Sequence, residues 1–255
     1  MTWGDLMRRV LAVVAAVLLM FGAGAPAQAI IGGEEAAEPY SFMATFIRDG
    51  EQHCGATLIT DRWLVTAAHC AMVTPDRIQV RLGALDWTTA PSLPTDRVVL
   101  HPGYKIDENY IAHDIGLVRL AEPVRNRPAV IAPRPAAGTP IRLLGWGMTC
   151  PDENDPGCAP PKRLRQLESR LLPESACAND PSFQRGHFRC VDNRPEASSC
   201  GGDSGAPALV KFGNRWLVTG ATSHGAGRGL CNEFPGVYTD VSAYLPWILR
   251  TIAQS

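Results

Sequence analysis

Three short motifs of the sequence contain the side chains that catalysis by a nucleophilic serine requires. His69 lies in Thr-Ala-Ala-His-Cys, Asp114 begins Asp-Ile-Gly-Leu-Val, and Ser204 lies in Cys-Gly-Gly-Asp-Ser-Gly-Ala-Pro. A serine hydroxyl is a weak nucleophile, so a neutral imidazole must accept its proton while a carboxylate fixes the tautomer of that imidazole. Each motif alone also suits a structural role, as a core histidine, a strand cap or a tight turn. Taken together, in the order His, Asp, Ser, they predict a catalytic serine.

Short runs rich in β-branched and other apolar residues recur between Gly, Pro and Asp, and they are the elements that must position these side chains. They cover residues 41–47, 56–59, 63–66, 78–82, 98–100, 115–120, 141–144, 164–172, 206–210, 216–222 and 237–241. Strands of this length without helical patterns between them are typical of antiparallel barrels or sandwiches. The sequence therefore predicts an all-β fold.

Two further segments organise the chain. Residues 122–140 are rich in proline and lack hydrophobic periodicity, so we interpret them as the crossover between two halves of similar length. Residues 243–252 predict a C-terminal α-helix with one apolar face, capped by Ser242 and with Pro246 in its first turn.

The first 29 residues resemble a targeting segment. Arg8 and Arg9 precede an apolar run from Val10 to Phe21, and small residues follow up to Ala29. This is the pattern of a secretory signal peptide, which predicts that residues 1–29 are removed and that residues 30–255 form the mature domain. A retained membrane anchor is the alternative, but twelve apolar residues are fewer than the roughly 20 that a spanning helix needs.

Charge and cysteine content restrict the class further. The chain has 24 Lys and Arg against 25 Asp and Glu, without a long basic run, which argues against nucleic-acid binding. All eight cysteines lie after residue 29, and an even number in an exported chain favours disulfides. Zinc is the alternative, but no two cysteines have the close spacing typical of zinc ligands.

With these motifs the chain resembles the secreted trypsin/chymotrypsin-like serine proteases over essentially all of the sequence from Ile30. Further matching segments are 30–33 (Ile-Ile-Gly-Gly), 145–147 (Gly-Trp-Gly), 223–225 (Ser-His-Gly) and 235–238 (Pro-Gly-Val-Tyr). The resemblance implies two antiparallel six-stranded β-barrels with a C-terminal α-helix and a catalytic cleft between the barrels. It implies that His69 is the general acid and base, that Asp114 orients His69, and that Ser204 is the nucleophile.

The resemblance also implies how the site is completed. The backbone N–H groups of Gly202 and Ser204 would form the oxyanion hole, and the α-amino group of Ile30 would pair with Asp203 to form the substrate pocket. This chain departs from the family in having no Arg or Lys before Ile30. Since Ala29 suits signal peptidase, we expect secretion itself to expose the activating terminus.

The disulfides follow from the same resemblance. The family pattern implies three bonds, and we expect a local fourth bond between the two remaining cysteines. The expected pairs are Cys54 with Cys70, Cys177 with Cys190, Cys200 with Cys231, and Cys150 with Cys158.

The resemblance places five small residues around the pocket for the side chain before the scissile bond, the P1 side chain. They are Ser198, Ser199, Ser223, Gly225 and Gly236. Trypsin-like enzymes have Asp where this chain has Ser198, so a buried Arg or Lys would lack a counter-charge. We therefore expect a preference for large apolar or aromatic P1 residues.

Two features leave alternatives open. An acid displaced into the pocket, Asp192, Glu196 or Glu233, would restore preference for Arg or Lys. His224 stands where the family usually has Trp, which we interpret as an altered subsite wall and not as a catalytic or metal ligand.

We expect the partners to be protein or peptide substrates and a proteinaceous protease inhibitor. We expect no binding to nucleic acid or, after removal of the signal peptide, to a membrane, and we expect the enzyme to be a monomer. Residues 82–97 lack the paired glutamates of calcium-binding relatives, so we expect no metal and no cofactor. A catalytically silent binding or signalling protein on the same fold is the rival hypothesis. A membrane-active factor is a third, without support from charge or an amphipathic helix.

Overall fold

The first half of the chain folds into a closed barrel of six antiparallel strands. We describe residues 30–152, 155 and 157–254 of a computed structural model. In ring order the strands are β2 (Met43–Arg48), β3 (Glu51–Leu58), β4 (Trp63–Thr66), β9 (Gly116–Leu120), β6 (Leu93–Leu100) and β5 (Gln79–Leu82). Phe46, Leu58, Leu64, Val80 and Val118 fill the barrel, and none is more than 2% exposed.

The second half forms another closed ring of six antiparallel strands. In ring order they are β11 (Pro140–Gly145), β12 (Arg165–Leu172), β13 (Phe188–Val191), β16 (Gly236–Asp240), β15 (Arg215–Gly225) and β14 (Pro207–Phe212). Pairing of β12 with β13 and of β14 with β11 closes the ring. The short strand β1 (Glu34–Glu35) adds to β12, and β7 (Lys105–Ile106) pairs with β8 (Ile111–Ala112).

The connection between the barrels runs from β9 to β11 and contacts both of them. Its short strand β10 (Val130–Ile131) pairs in parallel with β15. The N–H of Ala129 donates to the Leu58 carbonyl and the N–H of Ala132 donates to the Val218 carbonyl, each at 2.8 Å. The connection is therefore hydrogen-bonded to the first barrel on one side and to the second on the other.

One apolar core lies between the barrels and fixes their relative position. It combines Ile115 and Leu117 of the first barrel with Leu209 and Val218 of the second, and all four are fully buried. Burial of this kind contributes roughly 25 cal/mol per Å² of apolar surface, so it opposes separation of the barrels. Functional residues on the two barrels are thereby held at a fixed distance.

The helix at the end of the chain packs Ile248 into this core. It is α1 (Leu245–Ala253), preceded by a 3-10 turn over Val241–Tyr244. The prediction that Ser242 caps the helix is wrong. The Asp240 carboxylate accepts both the backbone N–H of Ser242, at 3.0 Å, and its hydroxyl, at 2.6 Å. Ser242 is thus a donor inside the 3-10 turn, and the α-helix begins later than predicted.

The all-β prediction with two six-stranded barrels and one C-terminal helix is confirmed. Within the described residues, none of the helices has the length and hydrophobicity to cross a bilayer. The predicted signal peptide, residues 1–29, lies outside the described residues.

Candidate active site

His69 and Asp114 meet on the side of the first barrel that faces the second. His69 lies in a 3-10 turn, Ala68–Ala71, directly after β4. Its Nδ1 is 2.8 Å from Oδ2 of Asp114, and its backbone N–H donates to Oδ1 of the same carboxylate at 3.0 Å. Since a carboxylate only accepts, Nδ1 carries a proton and Nε2 is left as the proton acceptor. The pair therefore has the tautomer that a general base needs.

Asp114 is fully buried, and several groups hold its backbone and side chain in place. His113 before it has a strained φ of 48°, and the Asp114 carbonyl accepts from the Thr239 hydroxyl of β16 at 2.6 Å. Burial favours the neutral acid, but hydrogen bonds from His69 and Ser223 outweigh burial and lower the pKa of Asp114. The carboxylate is therefore ionised at neutral pH.

Ser204 lies in the turn before β14, clamped against the loop that carries His69. Its carbonyl accepts from the N–H of Gly55 in β3 at 2.8 Å and lies 3.5 Å from Sγ of Cys70, the neighbour of His69. The disulfide between Cys54 and Cys70 links these contacts. The nucleophile turn of one barrel is thus attached directly to the histidine loop of the other.

Two backbone N–H groups of the Ser204 turn, those of Gly202 and Ser204, are available for a ligand. Gly202 has a φ of 87°, a left-handed conformation that disfavours any side chain. Within the described residues, neither the N–H of Gly202 nor that of Ser204 donates a hydrogen bond to a protein acceptor. The Gly202 carbonyl, in contrast, accepts from Nε2 of Gln52 at 2.9 Å, which holds the orientation of this peptide unit.

Asp203 extends away from the cleft into a buried compartment. Its carboxylate accepts from the N–H groups of Gly147, at 2.8 Å, and Cys200, at 3.0 Å. Burial raises the pKa of Asp203 to about 7, although both hydrogen bonds oppose the rise. A Cβ at Gly147 would lie only 2.4 Å from Cγ of Asp203, so the carboxylate fits there only because residue 147 is glycine.

Ile30 is already inserted in the second barrel. Its side chain is fully buried among Leu143, Val191 and Ala197, and the next residue, Ile31, forms a bridge with Ser198. In this chain Ala29 precedes Ile30, so the Ile30 nitrogen is an amide and does not carry the charge that Asp203 would pair with.

A cavity of about 210 Å³ opens beside Ser204. Its lining is built largely from glycines and small polar residues: Asn193, Ser199, Cys200, Gly201, Ser204, Thr222, Ser223, His224, Gly225, Gly227, Gly229, Leu230, Cys231 and Phe234. No acidic or basic residue other than His224 is among them.

Three of the five predicted pocket residues line this cavity, Ser199, Ser223 and Gly225, whereas Ser198 and Gly236 do not. Ser198 is fully buried behind the wall, where its N–H donates to the Ile31 carbonyl at 3.0 Å. A Cβ at Gly236 would meet the Asn193 amide at 3.2 Å, so Asn193 stands beside it. Sequence reasoning missed Asn193, because its segment showed no matching motif.

The acids that could have provided charge to the pocket are engaged in contacts of their own. Oδ2 of Asp192 lies 3.0 Å from Nε of Arg170, and Glu196 is 71% exposed near Arg194. The Glu233 carboxylate accepts the N–H of Leu230 at 3.0 Å. None of the three lines the cavity, although the Glu233 carboxylate lies directly behind Gly229 and Leu230 of its wall.

All four disulfides join the expected partners: Cys54–Cys70, Cys150–Cys158, Cys177–Cys190 and Cys200–Cys231. Among the described residues, the one cluster with metal-ligand geometry is Cys54, His69 and Cys70. Both of its sulfur atoms are already bonded to each other, which leaves one histidine and no thiolate for a metal.

Comparison with known proteins decides the family. The trypsin family model matches residues 30–248. The chain belongs to the trypsin family. Among curated members, the trypsin of Xenopus laevis is 34% identical over 250 residues, covering 94% of this chain and 97% of that protein. The trypsin of Sus scrofa is 33% identical over 237 residues, covering 89% and 96%.

Two further trypsin-family relatives extend the comparison. The transmembrane protease serine 9 of Rattus norvegicus is 33% identical over 242 residues, which cover 88% of this chain but 22% of that protein. Among solved structures, neuropsin, a serine protease expressed in the limbic system of mouse brain, superimposes with a TM-score of 0.76. It is 27% identical, and the match covers 86% of this chain and 98% of neuropsin. The prediction of a serine endopeptidase is confirmed.

Proposed function

We propose that this trypsin-family member is a secreted endopeptidase that uses Ser204 as nucleophile, His69 as general acid and base, and Asp114 as the group that orients His69. The observation that carries the proposal is the buried, ionised Asp114 carboxylate within 2.8 Å of Nδ1 of His69, on a loop clamped to the Ser204 turn. The chain retains the histidine, the aspartate and the serine that this mechanism needs, which disfavours a catalytically silent binding protein.

In the first half of the reaction, Nε2 of His69 accepts the Ser204 proton while Oγ attacks the substrate carbonyl carbon. The free N–H groups of Gly202 and Ser204 stabilise the developing oxyanion, an interaction worth roughly 3 kcal/mol per donor in such sites. His69 then gives the proton to the leaving amine, and the peptide bond breaks. Water, deprotonated by His69, hydrolyses the acyl-enzyme and regenerates the hydroxyl.

The cavity supports specificity for a large uncharged P1 side chain. Its volume accommodates an aromatic or branched aliphatic group, and Leu230 and Phe234 supply apolar surface. An Arg or Lys there would be desolvated without an acidic partner, which is costly. We therefore propose a preference for Phe and Leu over Arg and Glu.

We propose that the enzyme becomes active when a free amino terminus is formed at Ile30. We infer that signal peptidase cleaves after Ala29 and that the new Ile30 ammonium group pairs with Asp203. The buried Ile30 side chain and the uncompensated Asp203 carboxylate support this inference. Intact mass of the exported protein tests it, because a terminus at any residue other than Ile30 contradicts it.

Hydrolysis of short chromogenic peptides tests the activity itself. The chain beginning at Ile30 is assayed on peptides ending in Phe, Leu, Arg or Glu, beside its Ser204→Ala variant as the matched control. We expect cleavage after Phe and Leu that the variant lacks. Preference for Arg or Glu would refute the P1 proposal, and no cleavage of any peptide by a correctly processed chain would favour the rival binding function.

A further inference from the structure

A second histidine–carboxylate pair is connected to the first through one hydroxyl group. The Ser223 hydroxyl lies 2.5 Å from Oδ2 of Asp114 and 2.8 Å from Nδ1 of His224. On the other side of its ring, Nε2 of His224 lies 2.8 Å from Oδ2 of Asp180. The hydrogen-bonded chain therefore runs from His69 through Asp114, Ser223 and His224 to Asp180.

This chain of contacts is largely enclosed. The Asp180 side chain is 7% exposed and that of His224 is 21% exposed. The other oxygen of Asp180 accepts the N–H of Ser182 at 2.9 Å, and the Phe188 ring packs edge-on against His224 at 5.7 Å. Burial opposes ionisation of Asp180, but the hydrogen bonds from His224 and Ser182 outweigh it and lower the pKa of this carboxyl. The carboxyl groups on the two sides of Ser223 and His224, those of Asp114 and Asp180, are thus both ionised.

Counting protons decides what His224 must be. A carboxylate only accepts, so Nε2 of His224 carries the proton shared with Asp180. The Ser223 hydroxyl has one proton, and the 2.5 Å contact assigns it to Asp114. Nδ1 of His224 must then donate to the Ser223 oxygen. All contacts are satisfied only when both nitrogens of His224 are protonated.

If His224 is neutral, Nδ1 becomes an acceptor and competes with Asp114 for the single Ser223 proton. The hydrogen bond from Ser223 to the charged Asp114 carboxylate is then weakened, and because this carboxylate is buried, water does not replace the lost interaction. The protonation state of His224 is therefore coupled to the group that orients His69.

Other charged groups near His224 line a neighbouring cavity of about 360 Å³. The titratable residues that line this cavity beside Asp180 and His224 are Asp107, Glu108, Tyr110 and Arg228. Arg228 donates to the Glu108 carbonyl at 2.6 Å, and the Tyr110 hydroxyl accepts from Gln184 at 2.7 Å. The Asp180 carboxylate is the one acid with a direct hydrogen bond to His224 among the described residues.

We propose that His224 is a positioning residue for catalysis: its two ring nitrogens donate to Asp180 and to Ser223, and this keeps the Ser223 proton on Asp114. This role rests on the proposed function of the His69–Asp114–Ser204 site. It differs from the altered subsite wall that the sequence suggested for His224.

The first test is nitrogen NMR of ¹⁵N-histidine-labelled protein in the Ser204→Ala background, with His224 assigned by comparison with His224→Phe. At pH 7 we expect both ring nitrogens of His224 to show protonated shifts, and Asp180→Asn to convert Nδ1 to an unprotonated acceptor. An unprotonated Nδ1 in the chain with Asp180 would overturn the proposal. This measurement does not need activity, so its failure is distinct from failure of the proposed function.

The second test is the pH dependence of kcat/KM. We expect Asp180→Asn to lower kcat about tenfold with little change in KM, because the neutral His224 that it leaves competes with Asp114 for the Ser223 proton. The acid limb should move to higher pH, because removing a positive charge near Asp114 favours protonated His69. His224→Phe should move the acid limb in the same direction but lower kcat less, because it removes the competing acceptor together with the charge. This second variant covers a folding failure of Asp180→Asn.

Asp107→Asn is the matched control, since it removes a carboxylate from the same cavity but outside the hydrogen-bonded chain. Its pH profile should match that of the unaltered enzyme. An unchanged profile in Asp180→Asn, or a change in KM alone, would overturn the positioning role.

Discussion

Retaining Ala29 before Ile30 should destabilise the enzyme in a way that grows with pH. In the chain that begins at Ile30, the proposed ion pair would place an ammonium group next to Asp203 and compensate its charge. With Ala29 retained, that nitrogen is an amide, and Asp203 keeps only its two backbone hydrogen bonds. One added residue therefore changes the charge balance of a fully buried carboxylate.

The magnitude follows from the pKa of Asp203, which burial raises from 3.8 to about 7 in the uncleaved chain. Between these values the folded chain binds a proton that the unfolded chain has lost, so stability decreases as pH rises. At about 1.36 kcal/mol per pKa unit, the loss by pH 8 is about 4 kcal/mol. The proposed ion pair would remove this loss, so we expect the difference in stability between the two chains to be small near pH 4 and largest above pH 7.

Urea unfolding with intact disulfides, followed by tryptophan fluorescence from pH 4 to 8, measures the difference. Both chains carry Ser204→Ala to prevent self-cleavage. Asp203→Asn is the control, because the effect of Ala29 should become independent of pH when the carboxylate is absent. Equal pH dependence of the two chains, or a more stable extended chain at pH 8, would refute the reasoning.

Three other substitutions test separate parts of the structure. Asn193→Asp should shift cleavage towards Arg and Lys in a P1 peptide panel, because it places a carboxylate in a cavity wall that now has none. Gly147→Ala should lower kcat/KM more than tenfold without changing P1 preference, since the added Cβ would lie 2.4 Å from Asp203 and displace it. Replacing Cys150 and Cys158 together by Ser should lower the free energy of unfolding by about 2 kcal/mol, measured by urea titration, as expected for so short a loop.

The strands were predictable where the sequence alternates between apolar runs and turn residues. The run 63–66 is strand β4, and the run 237–241 contains all but the first residue of β16. Closure into two rings followed from the family resemblance, because apolar runs alone are equally compatible with a sandwich. The Ser242 cap failed because Asp240, two residues earlier, caps the 3-10 turn before the helix, and the Ser242 hydroxyl donates to this carboxylate.

The residues of the candidate site also differ in how far the sequence predicts them. His69, Asp114 and Ser204 are embedded in local motifs that the sequence displays, whereas Asn193 and Asp180 are brought to the site only by the folding of distant segments. Asp180 reaches His224 across 44 residues of chain, and no local pattern signals a contact of that kind. Long-range side-chain contacts of this kind require the structure.

The most direct test of the catalytic proposal is active-site titration with an acylating or phosphonylating reagent, followed by mass mapping of the modified peptide. In the chain beginning at Ile30 we predict one adduct per molecule, located on Ser204. His69→Ala should slow its formation by about a thousandfold or more. An adduct on another residue, or an unchanged rate without His69, would contradict the proposed mechanism.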